Sequence, residues 1–212
     1  MSVSDGPTRP RRGRPPKLTR DAILEAAEQL GLTSFTVTQL AAHLGVSEGT
    51  LYRYVRSTDE ITAAVCSRQL AAVDVALPDA VTWSAYLEVV CAQLRTRALA
   101  TPGFARWLVG GAYGADDLLV FDAILDGITR REPALHRDTA YLIGSQAVAC
   151  TAGLVTSGFV GAVPGGDPTE RDSDEQFTWM LRSLLRGMAD HLAEGVPPPR
   201  HQALGAPTDQ AR

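Results

Sequence analysis

Hydrophobic and polar positions repeat with a helical period along most of the chain. Ala22, Ile23, Ala26, Ala27 and Leu30 form a first stripe, with Thr19 placed to cap it, Asp21 near its positive end and Gly31 at its close. Val37, Leu40, Ala41 and Leu44 form a second, where Thr36 and Gln39 fit a capping box and Gly45 supplies a left-handed stop. Ser47 caps a third helix, from which Leu51 and Val55, together with Val46, pack back on the second. So short a turn forces the two helices to cross, the geometry of a helix-turn-helix over 36–55. Its second helix projects outward and exposes Glu48, Thr50, Tyr52, Arg53 and Tyr54. Ser57 and Glu60 open a fourth helix through Ile61, Ala64 and Val65, expected to reach Leu77 before Pro78.

From residue 82 the helical segments lengthen. They are expected over about 82–100, 103–111, 116–130, 138–160 and 173–194, so the predicted fold class is all-α. The segment 138–160 is apolar nearly all round, with Gly144, Gly153 and Gly158 permitting close approach of another helix. Phe177, Met180, Leu181, Leu184, Leu185, Met188 and Leu192 line a broad stripe on the last segment. Together the two present more apolar surface than one protomer is expected to cover, which predicts a homodimer formed by pairing both helices with their copies.

The residues Thr36-x-x-x-Leu40-Ala41-x-x-Leu44-Gly45-Val46-Ser47-x-Gly49-Thr50-Leu51-Tyr52-x-Tyr54-Val55, preceded by Ile23-x-x-Ala26-Ala27-x-x-Leu30, resemble the TetR family of bacterial transcription regulators over roughly residues 18–65. The resemblance implies a three-helix DNA-binding domain over 18–64 and a larger helical effector-binding and dimerisation domain over 65–195. It further implies a repressor released by a small molecule from a near-palindromic operator in double-stranded DNA. By the same resemblance Thr36, Tyr52 and Tyr54 contact the DNA backbone, while Thr38, Glu48, Gly49 and Thr50 face base edges beside the capping Ser47. Tyr52 and Tyr54 are alternatively structural. Glu48 either accepts from a cytosine N4 or sits at the positive end of its helix; Arg53 reaches a guanine edge or a phosphate. Family members usually carry a lysine after the serine that follows the recognition helix, and here Ser57 is followed by Thr58.

Charge distribution completes this division of labour. The net charge is −4, yet residues 1–20 carry six basic side chains against Asp5 alone, whereas 61–212 carry 12 basic and 17 acidic ones. Arg11, Arg12, Arg14 and Lys17 lie in a Pro, Gly and Arg-rich arm, 1–17, without helical period and expected to be disordered. Arg12-Gly13-Arg14-Pro15 looks like the core of an AT-hook, suited to a narrow A·T minor groove; the alternative is a basic tail tracking phosphates. The tail 196–212 is expected to be flexible.

Cys66, Cys91 and Cys150 are odd in number and widely spaced, and the four histidines show no ligand spacing, so neither a metal site nor a cofactor is implied. No apolar run approaches the roughly 18 residues of a membrane span and the first residues lack a signal-peptide block, so the expected location is cytoplasmic, with no membrane partner. In the larger domain Trp83, Tyr86, Phe104, Trp107, Tyr113 and Phe121 either line an apolar effector cavity, with Gln146 or Thr151 as polar contact, or simply pack the core. Asp116, Asp117, Asp122 and Asp126 favour a cationic ligand or form a solvated helix face. No catalytic set with nucleophile-elbow or phosphate-loop spacing is present. An architectural A·T-rich DNA binder and a helical-pocket enzyme are the rival classes. Because the arm stands in for the missing lysine, deleting 1–17 is expected to weaken duplex binding sharply and to flatten its dependence on salt, as titrations at several ionic strengths will measure.

Overall fold

The computed structural model describes residues 18–79, 81–157 and 170–195, without the side chains of 170–172. Among the described residues the chain forms nine helices and no strand: α1 (Arg20–Leu30), α2 (Val37–Leu44), α3 (Glu48–Leu51), α4 (Thr58–Ala71), α5 (Trp83–Ala100), α6 (Phe104–Gly110), α7 (Ala115–Arg131), α8 (Arg137–Thr156) and α9 (Glu170–Ala193). The expected arm and tail lie outside the described residues.

Local chemistry sets most helix starts. Hydroxyl oxygens of Thr19, Thr36, Ser47, Ser57 and Thr82 each accept a first-turn backbone N–H, relieving donors that have no partner inside the helix. At α2 the box is reciprocal: the Gln39 N–H donates to Thr36 Oγ1 at 3.1 Å and the Thr36 N–H to Gln39 Oε1 at 2.9 Å. Gly45, at φ 65°, closes α2 with the Val46 N–H bonded to the Ala41 carbonyl and its own to Ala42, the paired bonds of a Schellman turn. Ile23, Ala27, Leu40, Leu51, Ile61 and Val65, all fully buried, lock α1 to α4 into one head.

α8 is the axis of the remainder, packing on α5, α6, α7 and α9. It is long and apolar enough to cross a bilayer by length and composition, a property the unbroken-run criterion missed. Its Ala140, Ile143, Gly144, Ala147, Val148 and Ala152 are buried against its helical neighbours.

Three expectations need correction. α4 ends at Ala71, not Leu77, because side chains distant in sequence take the next backbone groups. Arg97 donates to the Ala72 carbonyl, Gln93 exchanges bonds with the backbone of Asp74, and Arg131 donates to Leu77 and Pro78 at 2.6 and 2.8 Å. The Arg131 guanidinium lies 4.2 Å from the Tyr86 ring centroid, and Gly127 leaves room for that ring, since a Cβ there would stand 2.3 Å from it. The second motif helix is regular only to Leu51; Arg53 and Tyr54 N–H groups reach back to Thr50 and Leu51, tightening the last turn to i→i+3. On α9 most of the apolar stripe turns inward: Phe177, Leu181 and Leu185 are buried within the protomer, and Met188 and Leu192 pack against the same core, whereas Met180 and Leu184 stay half-exposed. α8 stops at Thr156, and 158–160 lie outside the described residues.

One carboxylate ties the head to the body. Glu28 of α1 accepts from Arg68 and Gln69 of α4 and, at 3.2 Å, from the hydroxyl of Thr101, which caps the end of α5. Arg97 of α5 also donates to Gln69 at 3.3 Å. Glu28→Ala leaves three partly buried donors without their acceptor; it is expected to cost about 2 kcal/mol and to lower Tm by about 4–8 °C in a calorimetric scan.

Candidate nucleic-acid interface

The capped turns of α2 and α3 bring one exposed polar face together. Thr38 near the start of α2 donates from Oγ1 to Glu48 Oε1 at the start of α3, 2.6 Å away. Ser47 and Thr50 face each other instead, their hydroxyls 2.9 Å apart, with Ser47 also capping Thr50 N–H. The Thr36 hydroxyl is engaged with Gln39, as donor at 3.2 Å and as cap. Tyr52 is 54% exposed and Tyr54 38%, an unusual investment of aromatic surface in water. Arg53 and Arg56 are exposed, and no ion pair engages either among the described residues. The predicted face therefore assembles from Thr36, Thr38, Ser47, Glu48, Gly49, Thr50, Tyr52, Arg53 and Tyr54, while Arg11, Arg12, Arg14 and Lys17 lie outside the described residues.

Gly49 is informative because the fold makes no demand for it. Its backbone is not left-handed, and a Cβ there would meet nothing within 4 Å. A helical glycine without an internal reason costs stability relative to alanine, and the bare backbone here leaves the start of α3 open to solvent.

A second site lies in the body. A cavity of about 620 Å³ opens between α6, α7 and α8, walled by Leu108, Tyr113, Phe121, Leu125, Tyr141 and Val148, with Asp122, Ser145 and Gln146 as its polar groups. Of the aromatic residues singled out in the sequence, Tyr113 and Phe121 reach it, and Gln146 joins them. Trp83, Tyr86, Phe104 and Trp107 do not: all four are buried in the core. Thr151 is fully buried and spends its hydroxyl on the Ala147 carbonyl at 2.8 Å. Trp107 backs the cavity indirectly, edge-on to Tyr113 at 5.1 Å, and Tyr113 meets Phe121 at the same separation.

Of the four aspartates read from the sequence as a cationic-ligand site or a solvated helix face, one is neither solvated nor free. Asp117, 4% exposed, accepts from the Gly114 N–H at 2.7 Å and from the Ser67 hydroxyl of α4 at 3.1 Å. It links the turn that carries Tyr113 to the helix that leaves the head. Its neighbours Asp122 and Asp126 are both paired to Arg137, at 3.0 and 2.6 Å. Burial, reinforced by Asp117 and Glu28, pushes the Cys66 thiol up to about 12, and burial pushes Cys91 to about 11, so both stay protonated and unreactive near neutrality. No group of three or more metal-ligating side chains occurs among the described residues.

Residues 20–65 match the family described as bacterial regulatory proteins, tetR family. No curated protein matches the chain's sequence. Several solved structures share its fold. ActR of Streptomyces coelicolor in complex with actinorhodin is 22% identical, with a TM-score of 0.66 over 85% of this chain and 100% of that one. A TetR variant from Acinetobacter baumannii AYE in complex with minocycline is 21% identical, with a TM-score of 0.67 over 82% and 98%. BioQ with its double-stranded DNA operator is 19% identical, with a TM-score of 0.61 over 82% and 100%.

Gly49→Ala is expected to raise stability by about 0.5–1 kcal/mol and yet to weaken binding to duplex DNA at least fivefold. Denaturant unfolding and fluorescence anisotropy on the same preparation separate the two effects.

Proposed function

The chain belongs, through residues 20–65, to the TetR family of bacterial regulatory proteins, and from that premise we propose that it is a homodimeric transcriptional repressor released from a near-palindromic operator by a small molecule. The observation that carries the reading is the exposed face of α2 and α3 joined through α4 to a body that holds a cavity. Two copies of that face, about 34 Å apart, meet successive major grooves. The backbone contacts would come from Tyr52, Tyr54 and Thr36 and base readout from the start of α3, with 18–64 as the DNA-binding unit and 65–195 as the sensing and pairing unit. Function here is binding rather than catalysis, and it is exercised where the DNA is, in the cytoplasm.

The dimer is supported by a second pair of unexplained glycines. Gly153 on α8 and Gly187 on α9 are exposed, helical and open, with nothing within 4 Å of a Cβ. Each lies four residues after another small residue, Ala149 and Ser183, on an outward face. Trp179, 71% exposed, lies four residues before Ser183. Small residues at that spacing let a partner helix approach closely, and an exposed tryptophan gains most from being covered. Phe177, Leu181 and Leu185 of the α9 stripe face their own core, so of that stripe the half-exposed Met180 and Leu184 remain for pairing.

A ligand in the α6–α7–α8 cavity would press on Tyr113 and so on the turn whose Gly114 is bonded to Asp117. Asp117 passes the displacement to Ser67 and hence to α4. A ligand that fits the displaced arrangement better shifts the population toward it and loosens the operator. The neighbours solved with minocycline and actinorhodin support a sensing body of this kind, and the one solved with its operator supports the DNA-binding head.

Selection of bound sequences from random duplexes tests the reading: a discrete inverted repeat is expected, whereas broad A·T-rich protection would favour the architectural alternative. The double variant Gly153→Leu/Gly187→Leu is expected to sediment as a monomer and to lose at least a hundredfold in affinity for that repeat. Its helix content by circular dichroism should hold, since leucine is the better helix former.

A further inference from the structure

We propose that Glu48, aimed by Thr38, reads a cytosine in each operator half-site. The proposal rests on the DNA-binding reading above and adds which base the head selects. Second helices of helix-turn-helix units contact base edges through their first residues, and three polar side chains occupy that position here. Ser47 and Thr50 are committed to each other. Glu48 is the group left with capacity. Its Oε1 accepts the single hydroxyl proton of Thr38 at 2.6 Å, which fixes the carboxylate's direction. Its Oε2 has no bonding partner among the described residues, and no ion pair engages the carboxylate there. Beside it, Gly49 offers no side chain to hold the groove floor away.

A carboxylate can only accept, so it discriminates by what it rejects. Guanine and thymine show acceptors at the major-groove edge and would repel it. Adenine offers N6–H₂, but between its own N7 and the thymine O4, both acceptors. Cytosine N4–H₂ has an acceptor on one side only, the guanine O6, and a C–H on the other. Cytosine is therefore the base whose donor a fixed carboxylate can use at least cost. Off such a site the same charge faces phosphates unpaired, so it also suppresses binding to random sequence.

Thr38 is a positioning residue in this scheme. It acts on the base through Glu48, and its methyl and hydroxyl are otherwise solvent-exposed.

The test is sequence selection from a random duplex pool with the full-length wild-type protein and with Glu48→Gln, Glu48→Ala and Thr38→Val, followed by competition titrations on the selected site. The wild type is expected to fix cytosine at one position per half-site, with a preference of about fivefold to a hundredfold. Glu48→Gln is expected to move that preference to adenine, whose N6 and N7 suit an amide. Glu48→Ala is expected to level the position and to bind random duplex more tightly than wild type does. Thr38→Val is expected to keep cytosine with a preference several-fold weaker. If wild type and Glu48→Ala select the same bases at every position, Glu48 is no reader and the proposal fails while the regulator reading stands. If Thr38→Val matches wild type, its positioning role fails. If the wild type selects no sequence, the DNA-binding reading itself fails. Both positions are exposed, so the variants leave the fold's core untouched.

Discussion

α4 is held between two carboxylates of different helices, and the placement of the head on the body depends on that grip. On one side Glu28 of α1 binds Arg68 and Gln69; on the other Asp117 of α7 binds Ser67. Three consecutive residues of one helix thus answer to two separate bodies. Neither carboxylate is freely solvated, so each loses more by releasing its donor than a surface pair would. The Cys66 thiol registers the same arrangement, since Asp117 and Glu28 both add to the burial that holds its proton. A head attached only through a flexible linker would make no such contacts; here the two halves share part-buried polar bonds.

What could be read from the sequence follows from the range of the interactions involved. Caps and turns act over three or four residues, and Thr19, Thr36, Gly45, Ser47 and Ser57 all do what their spacing dictates. The exposed face of α2 and α3 was legible for the same reason. The end of α4 was not, because Arg97, Gln93 and Arg131 are brought to it by folding and no local signal announces them. Periodicity found the stripe on α9 but could not say whether it turns toward its own core or toward a partner. The aromatic residues of the body were separable into core and cavity wall only once α6, α7 and α8 were placed; Tyr113 reaches the cavity from the turn between helices rather than from a helical face. Asp117 was visible merely as one of several acidic residues, and its burial is a property of the fold.

The glycines carry information that conservation is usually asked to supply. Gly111 and Gly127 exist because a ring occupies the space where a side chain would be, 2.5 Å from Trp107 and 2.3 Å from Tyr86 respectively. Gly49, Gly110, Gly153 and Gly187 have no such neighbour. Within one chain this distinction separates glycines that the protomer's packing requires from glycines that it does not. These fall on the α2–α3 face, at the end of α6 and on the outer faces of α8 and α9.

The strap after α4 has a mechanical consequence. Arg97 and Arg131 pin the backbone just past Ala71, so the far end of the helix is a fulcrum, while its beginning at Ser57 adjoins the turn that ends the recognition segment. Fourteen residues of helix make an arm of about 20 Å, with Ser67 near the pivot and the DNA-facing end at full radius. A nudge of a few tenths of an ångström at Ser67 is thereby magnified several-fold at Ser57, without any rearrangement inside the head.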